Sequence, residues 1–271
     1  MHLRRIERRH RRDPADAHPF SVPAVRALDV LDVNSPVTFF VGENGTGKST
    51  MLEGIAAAAA LPSVGSRPVS DDDTLHAARA LAAVLQLVWN QRVHRGFFLR
   101  AEDFFGFTKA LAQQRREFRA RLTALDEEYA DRSAYAKQLA AGPAQASLDA
   151  MSRRYGEDLD ANSHGQSFLA LFQSRFVPGG LYLLDEPEAP LSPQSQLAFL
   201  AMMHDMVRQD GQFIIATHAP ILLAYPGARI LSFDETPVAE VPFEELPHVR
   251  LTRDVLNEPE RTFRHLFAEP R

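Results

Sequence analysis

The 271-residue chain contains no cysteine, which excludes disulfides and any zinc or iron–sulfur centre held by thiolates. It also lacks an apolar run of the roughly 18–20 residues that a bilayer-crossing helix needs. There is no internal repeat, and the one low-complexity tract is the alanine run from Ala56 to Ala60. Charge has no commanding sign: 30 Lys and Arg against 35 Asp and Glu leave a formal net charge of −5. That balance neither requires nor forbids a nucleic-acid partner, because a local basic patch is compatible with it. The Arg-rich start (Arg4, Arg5, Arg8, Arg9, Arg11 and Arg12) leads into Asp13-Pro14-Ala15-Asp16 and not into an apolar segment, so it does not read as a secretory signal. An exposed first strand with long basic side chains accounts for it; contact with nucleic acid or acidic lipid is the alternative. These absences together suit a cytoplasmic protein.

What is present is more decisive. Gly42-Glu43-Asn44-Gly45-Thr46-Gly47-Lys48-Ser49-Thr50 fits the phosphate-binding P-loop pattern, four free positions between two glycines and then Lys and Ser/Thr. Its flanks agree: Pro36 to Val41 reads as a short buried strand, and Met51 to Ala60 as an alanine-rich helix. Glycines let the backbone wrap a polyphosphate with its N–H groups inward, and the following helix adds its positive end. Lys48 then reaches the β- and γ-phosphates and Ser49 binds Mg²⁺. The chain is expected to bind a nucleoside triphosphate.

Leu181-Tyr182-Leu183-Leu184-Asp185-Glu186-Pro187 is an apolar strand ending in two carboxylates, opened by Gly179-Gly180. In a parallel sheet the carboxyl ends of strands share an edge, so Asp185 is expected beside the P-loop as a second Mg²⁺ ligand. Glu186 is placed to take a proton from water attacking the γ-phosphate. Gln212 to Thr217 is a further buried strand with His218 at its end. That histidine is either a γ-phosphate or water contact or a satisfied turn residue. Ser163-His164-Gly165-Gln166 opens a helical pattern over Ser167 to Phe176. Ser163 with Gln166 is a capping box, yet such a helix start also presents free N–H groups to a phosphate.

The order P-loop, Ser-x-Gly-Gln helix start, Leu-Leu-Asp-Glu-Pro and Thr-His resembles the ATP-binding-cassette ATPase superfamily. Within it, the chain is similar to the small soluble predicted ATPases related to the SMC and RecF type. Phe97-Phe98-Leu99-Arg100-Ala101-Glu102 and Ile221-Leu222-Leu223-Ala224-Tyr225-Pro226 also belong to the resemblance, which runs from about Phe20 to the C-terminus. It implies an α/β P-loop fold with a mixed, largely parallel sheet and a short helical lobe, as one ATPase domain over 1–271 with the lobe near 103–160. It also implies an ATP-dependent homodimer in which Lys48, Ser49, Asp185, Glu186 and His218 of one subunit meet the signature residues Ser163, Gly165 and Gln166 of the other. Partners implied are ATP with Mg²⁺, then a nucleic acid or a partner protein. The alternatives are a nucleotide-gated binding module with little turnover and a transporter's nucleotide-binding subunit, but the latter reading calls for a clear Q-loop and a Leu-Ser-Gly-Gly-Gln signature, and His164 stands in that signature. Ala189-Pro190-Leu191-Ser192 departs from the usual D-loop. Gln91 and Glu102 are the Q-loop candidates, and Phe20 is the candidate for stacking on adenine.

Lys48 and Ser163 stand 115 residues apart, too few for a long coiled-coil arm. The stretch between them reads as a Pro/Gly/Asp-rich loop over 63–73, with Ser70 to Asp73 capping a helix near His76 to Ala83. A hairpin of Leu85 to Arg92 with Phe97 to Arg100 follows, then a helix from Lys109 to Ala141 stopped by Gly142-Pro143. Phe104, Phe105 and Phe107 read as packing residues, not as a base-stacking platform. Beyond His218, a strand at Arg229 to Phe233 and loop structure over Asp234 to Pro247 precede a closing helix from Glu258 to Phe267, expected to pack on the core with Pro259 in its first turn.

Overall fold

The computed structural model describes residues 1–9, 17–64, 76–155 and 164–267. The chain starts with β1 (Leu3–Arg8), α1 (Pro23–Arg26), β2 (Val30–Asp32), β3 (Val37–Val41) and α2 (Lys48–Ala59). It continues through α3 (His76–Ala82), β4 (Leu85–Trp89), β5 (Gly96–Arg100), α4 (Ala101–Glu128), α5 (Ala134–Tyr155) and α6 (His164–Arg175). The last part comprises β6 (Leu181–Asp185), α7 (Pro193–Arg208), β7 (Gln212–Ala216), α8 (Pro220–Leu223), β8 (Arg229–Ser232), β9 (Ala239–Glu240), α9 (Pro247–Asn257) and α10 (Pro259–Leu266).

Six strands make the main sheet in the order β5-β6-β7-β3-β8-β9, parallel except for the β8–β9 pair. Every residue of β3, β6 and β7 is buried, as a sheet covered on both faces demands. Side chains alternate between the two faces with the two-residue strand period. Phe40, Leu181, Leu183, Ile214 and Ala216 join one core with Met51, Leu52 and Ile55 of α2. Phe39, Tyr182, Leu184, Phe213 and Ile215 join the other, with Phe168 and Phe172 of α6 and Phe199 of α7. The architecture is α/β with a mixed, mostly parallel sheet. Among the described residues no helix is long and apolar enough to cross a membrane.

A second, antiparallel sheet in the order β2-β1-β4 covers the α2 side. Its basic strand is tied down locally: Arg5 Nε donates to Asp32 Oδ1 at 2.7 Å, and Arg8 Nη1 donates to the Val25 and Arg26 carbonyls at 2.8 Å each. One buried side chain, Gln212, stitches the two sheets together. Its Oε1 accepts from His2 N (2.9 Å) and Leu3 N (2.7 Å), while its Nε2 donates to Leu3 O (2.7 Å) and Val33 O (2.9 Å). Removing that amide would strand several buried backbone groups at about 1–3 kcal/mol each.

The expected hairpin of 85–92 with 97–100 does not form. β4 pairs with β1, whereas β5 crosses to the main sheet and lies parallel to β6. Gly96 permits the crossing. It sits at φ +116°, and a Cβ there would stand 1.8 Å from the Leu181 carbonyl oxygen. Gly96→Ala combines backbone strain with a clash against backbone that cannot move aside, and is expected to cost about 3 kcal/mol or more. Chemical denaturation should show it, and an unchanged midpoint would remove this account of the crossing.

The helix expected over Lys109 to Ala141 is instead split at 129–133, between α4 and α5. Ser133 Oγ accepts from Ala136 N at 3.2 Å and starts the new helix, while Gly142-Pro143 lies inside α5. Pro143 is on the exposed side, where the lost hydrogen bond is tolerated because Ala144 of α5 and Leu111 and Leu125 of α4 are buried. Lys137 meets Asp126 at 2.9 Å and Arg115 Nη2 donates to Met151 O at 3.3 Å, so the two helices run antiparallel. Phe104 is buried, its ring edge-on to Phe168 at 4.5 Å. The side chains of Phe105 and Phe107, the stretch 65–73 with the Ser70–Asp73 cap, and Arg11 to Asp16 lie outside what is described.

Two corrections concern the C-terminal part. Residues 247–257, given no element by the sequence reading, form α9. The closing helix α10 is not a lid packed on the core: Phe263, Leu266 and Phe267 are 41%, 69% and 74% exposed.

Candidate nucleotide site

The P-loop lies between the end of β3 and the start of α2. Gly42, Gly45 and Gly47 all have positive φ (139°, 84° and 103°), the conformation that lets successive N–H groups face one concavity. Gly47 is under the tightest constraint, since a Cβ there would approach Val22 Cγ1 to 2.4 Å. At Gly45 no atom of the described residues, its two chain neighbours aside, lies within 4 Å of such a Cβ, so the loop is open on that side. Glu43, Asn44, Gly45 and Ser49 are exposed, Thr46 and Thr50 half-buried, and Lys48 buried. Lys48 Nζ donates to Gly42 O (2.6 Å) and Glu43 O (2.9 Å), and Thr46 Oγ1 donates to Glu43 O (2.9 Å).

Sheet order brings the second half of the chain to this loop. β7 lies between β3 and β6, with Ala216 in register with both Phe40 and Asp185. Asp185 is 8% exposed. Burial pushes its carboxyl up to about 7, against a hydrogen bond with Ser49 that favours the charged form. Burial likewise lowers the Lys48 ammonium, and the negative charges of Asp185, Glu186, Asp234 and Glu43 oppose that shift. A cation and several carboxylates therefore share one partly desolvated edge.

Glu186 is exposed and has φ +50°, a conformation uncommon for a residue with a Cβ and concentrated at functional positions. Its N–H donates to Ala216 O at 2.9 Å, which holds the turn against the end of β7. His218 follows β7, and its backbone N–H donates to Glu188 Oε1 at 2.9 Å. The Asp-Glu-Pro-Glu turn thus fixes the histidine loop, with Glu188 as the tie. Burial raises the Glu188 carboxyl, against hydrogen bonds from the His218 backbone and the Thr217 side chain.

Gly165 is buried in the first turn of α6, where an added Cβ would stand 3.2 Å from Pro190 O and 3.3 Å from Ser195 Oγ. Gln166 is exposed, and Ser163 lies outside the described residues. Glu102 is exposed in the first turn of α4, at the edge to which Asp185 belongs. Gln91 sits with Pro178, Gly179 and Asp210 near the opposite ends of the strands. Phe20 is buried, with the Arg8 guanidinium 6.0 Å from its ring centre, so its ring is not offered to an adenine.

Sequence reasoning missed three residues here. Glu188 carries a legible signal as a second glutamate after the strand. Asp234 Oδ1 accepts from Glu43 N at 2.6 Å, a contact created only by β8 lying beside β3. His248 of α9 has its ring centre 6.4 Å from that of His218, with no local signal in the sequence.

The chain resembles an ATP-binding cassette of an ABC transporter in its ADP conformation (15% identity, 99% of this chain and 100% of that one, TM-score 0.44). It also resembles the Smc head domain of Pyrococcus furiosus bound to the C-terminal domain of ScpA (10% identity, 95% and 99%, TM-score 0.43). A third similar structure is the SMC head domain of Thermotoga maritima (14% identity, 89% and 99%, TM-score 0.38). No curated protein sequence matches it. Residues 21–78, which hold the P-loop, match the AAA domain family.

Proposed function

We propose that this protein is an ABC-type ATPase that binds ATP at Gly42 to Thr50 and hydrolyses it to ADP and phosphate as an ATP-dependent homodimer. The observation that carries the reading is the convergence of Lys48, Asp185 and Glu186 on one sheet edge beside the glycine loop.

Backbone N–H groups of the P-loop bind the phosphates, and Lys48 turns its ammonium from the Gly42 and Glu43 carbonyls to the β- and γ-phosphate oxygens. Ser49 and Asp185 are the residues to hold Mg²⁺. Their fit is good, because Asp185 Oδ1 is buried without a hydrogen-bond partner among the described residues and its carboxyl is held well above the usual range. When bound, Mg²⁺ neutralises charge shared between the β- and γ-phosphates. Glu186 takes the proton from the attacking water, and its exposure leaves the carboxylate free to reach it. His218, anchored through Glu188, hydrogen-bonds the terminal phosphate. Ser163, Gly165 and Gln166 of a second subunit close the cleft, and α4 with α5 forms the lobe that passes the cycle to a nucleic acid or a protein.

Phosphate release by the purified protein tests this. Release from ATP should fall to background with EDTA and return with excess Mg²⁺; turnover indifferent to EDTA would overturn the metal assignment. Addition of DNA to the same preparation separates a nucleic-acid role, seen as stimulation, from a protein partner.

A further inference from the structure

We infer that His248 is a further nucleotide-binding residue, which contacts the terminal phosphate of ATP beside His218 and so distinguishes triphosphate from diphosphate. This rests on the reading of the Lys48 loop as the ATP site.

Geometry is the first ground. α9 returns to the sheet after β9 and buries Val249 and the preceding Leu246 in the core that also holds Phe39 and Ile215. That anchoring sets the ring of His248 across from that of His218, 6.4 Å between centres and inclined at 66°. Chemistry is the second. Among the described residues, Nε2 of each ring is enclosed and has no hydrogen-bond partner, and a buried polar atom left unpaired is unfavourable until a ligand pairs it. Both rings are only half-buried as residues, so side-chain rotation turns either nitrogen to an incoming oxygen. A phosphoryl group offers several acceptor oxygens and satisfies the pair together. A third ground is the company His248 keeps. Burial lowers its pKa first and the neighbouring His218 next, with Asp234 and Glu43 opposing and Lys48 adding to the fall. Apart from His218, the charges it senses are those at the mouth of the P-loop, and a neutral imidazole there still donates one N–H to a phosphate oxygen.

The test compares binding of ribose-labelled fluorescent ATP and ADP, each with Mg²⁺, to wild type, His248→Ala, His248→Gln and Lys48→Ala. His248→Ala should weaken ATP about tenfold, roughly 1.4 kcal/mol, and ADP less than about twofold. His248→Gln, which retains a donor, should fall between wild type and alanine for ATP. Equal losses for ATP and ADP would reduce His248 to a support of α9, and unchanged ATP binding would remove it from the site. Either result overturns the inference while Lys48→Ala, by losing both nucleotides, upholds the site itself. If Lys48→Ala also binds normally, the site reading falls and the inference with it. Should the alanine variant not fold, the glutamine variant decides by the same ATP-to-ADP ratio.

Discussion

Lys48→Ala is expected to lose ATP binding by at least about tenfold, or ~1.4 kcal/mol, in a fluorescent-nucleotide titration. The loop's ammonium is its one mobile cation, already aimed along the loop at Gly42 O and Glu43 O. Hydrogen bonds to charged groups contribute about 1.5–3 kcal/mol each, so the loss of even one phosphate contact accounts for the change. Stability should move much less, because removing a buried cation relieves a desolvation cost while forfeiting those two carbonyl contacts. Lys48→Met keeps the apolar stem and should bind as poorly as the alanine variant. Undiminished affinity in a folded variant would remove the phosphate-cradle assignment.

Glu186→Gln is expected to bind ATP and scarcely turn it over, with phosphate release lowered by about 10²–10⁴-fold, the usual contribution of a positioned general base. Glutamine keeps the shape and the +50° backbone conformation but cannot accept the proton. Because residue 186 is exposed, the substitution should leave the melting temperature nearly unchanged. With ATP bound and unspent, light scattering should report a dimer, whereas the nucleotide-free protein stays largely monomeric. Wild-type turnover would move the base elsewhere. Glu188 is a poor substitute for that role, since its Oε1 already accepts from the His218 backbone and its Oε2 is buried.

Much of the sheet was legible because its strands are short apolar runs with sharp stops. Leu181 to Asp185 ends at Glu186-Pro187, and Gln212 to Ala216 ends at Thr217-His218. Errors clustered where local pattern and tertiary pairing disagree. The residues between Leu85 and Arg100 carry a hairpin's alternation, yet partners for β4 and β5 lie elsewhere, on β1 and β6. Pro143 looks like a helix stop, but burial of Ala144 between packed helices overrides a single missing hydrogen bond.

By itself, the sequence determined the P-loop, the carboxylate pair 185–186, the histidine at the end of β7 and the α/β class. Each depends on residues adjacent in the chain, whose spacing dictates the backbone path and the chemistry together. Only the tertiary structure decided that Asp234 would tie down Glu43, that Glu188 would hold the His218 loop and that His248 would face His218. The contacts of Asp234 and His248 span 191 and 30 positions and exist because β8 pairs in parallel with β3 and α9 folds back over the same core. No local pattern encodes a distance between residues so separated; the burial of both sheet faces sets it.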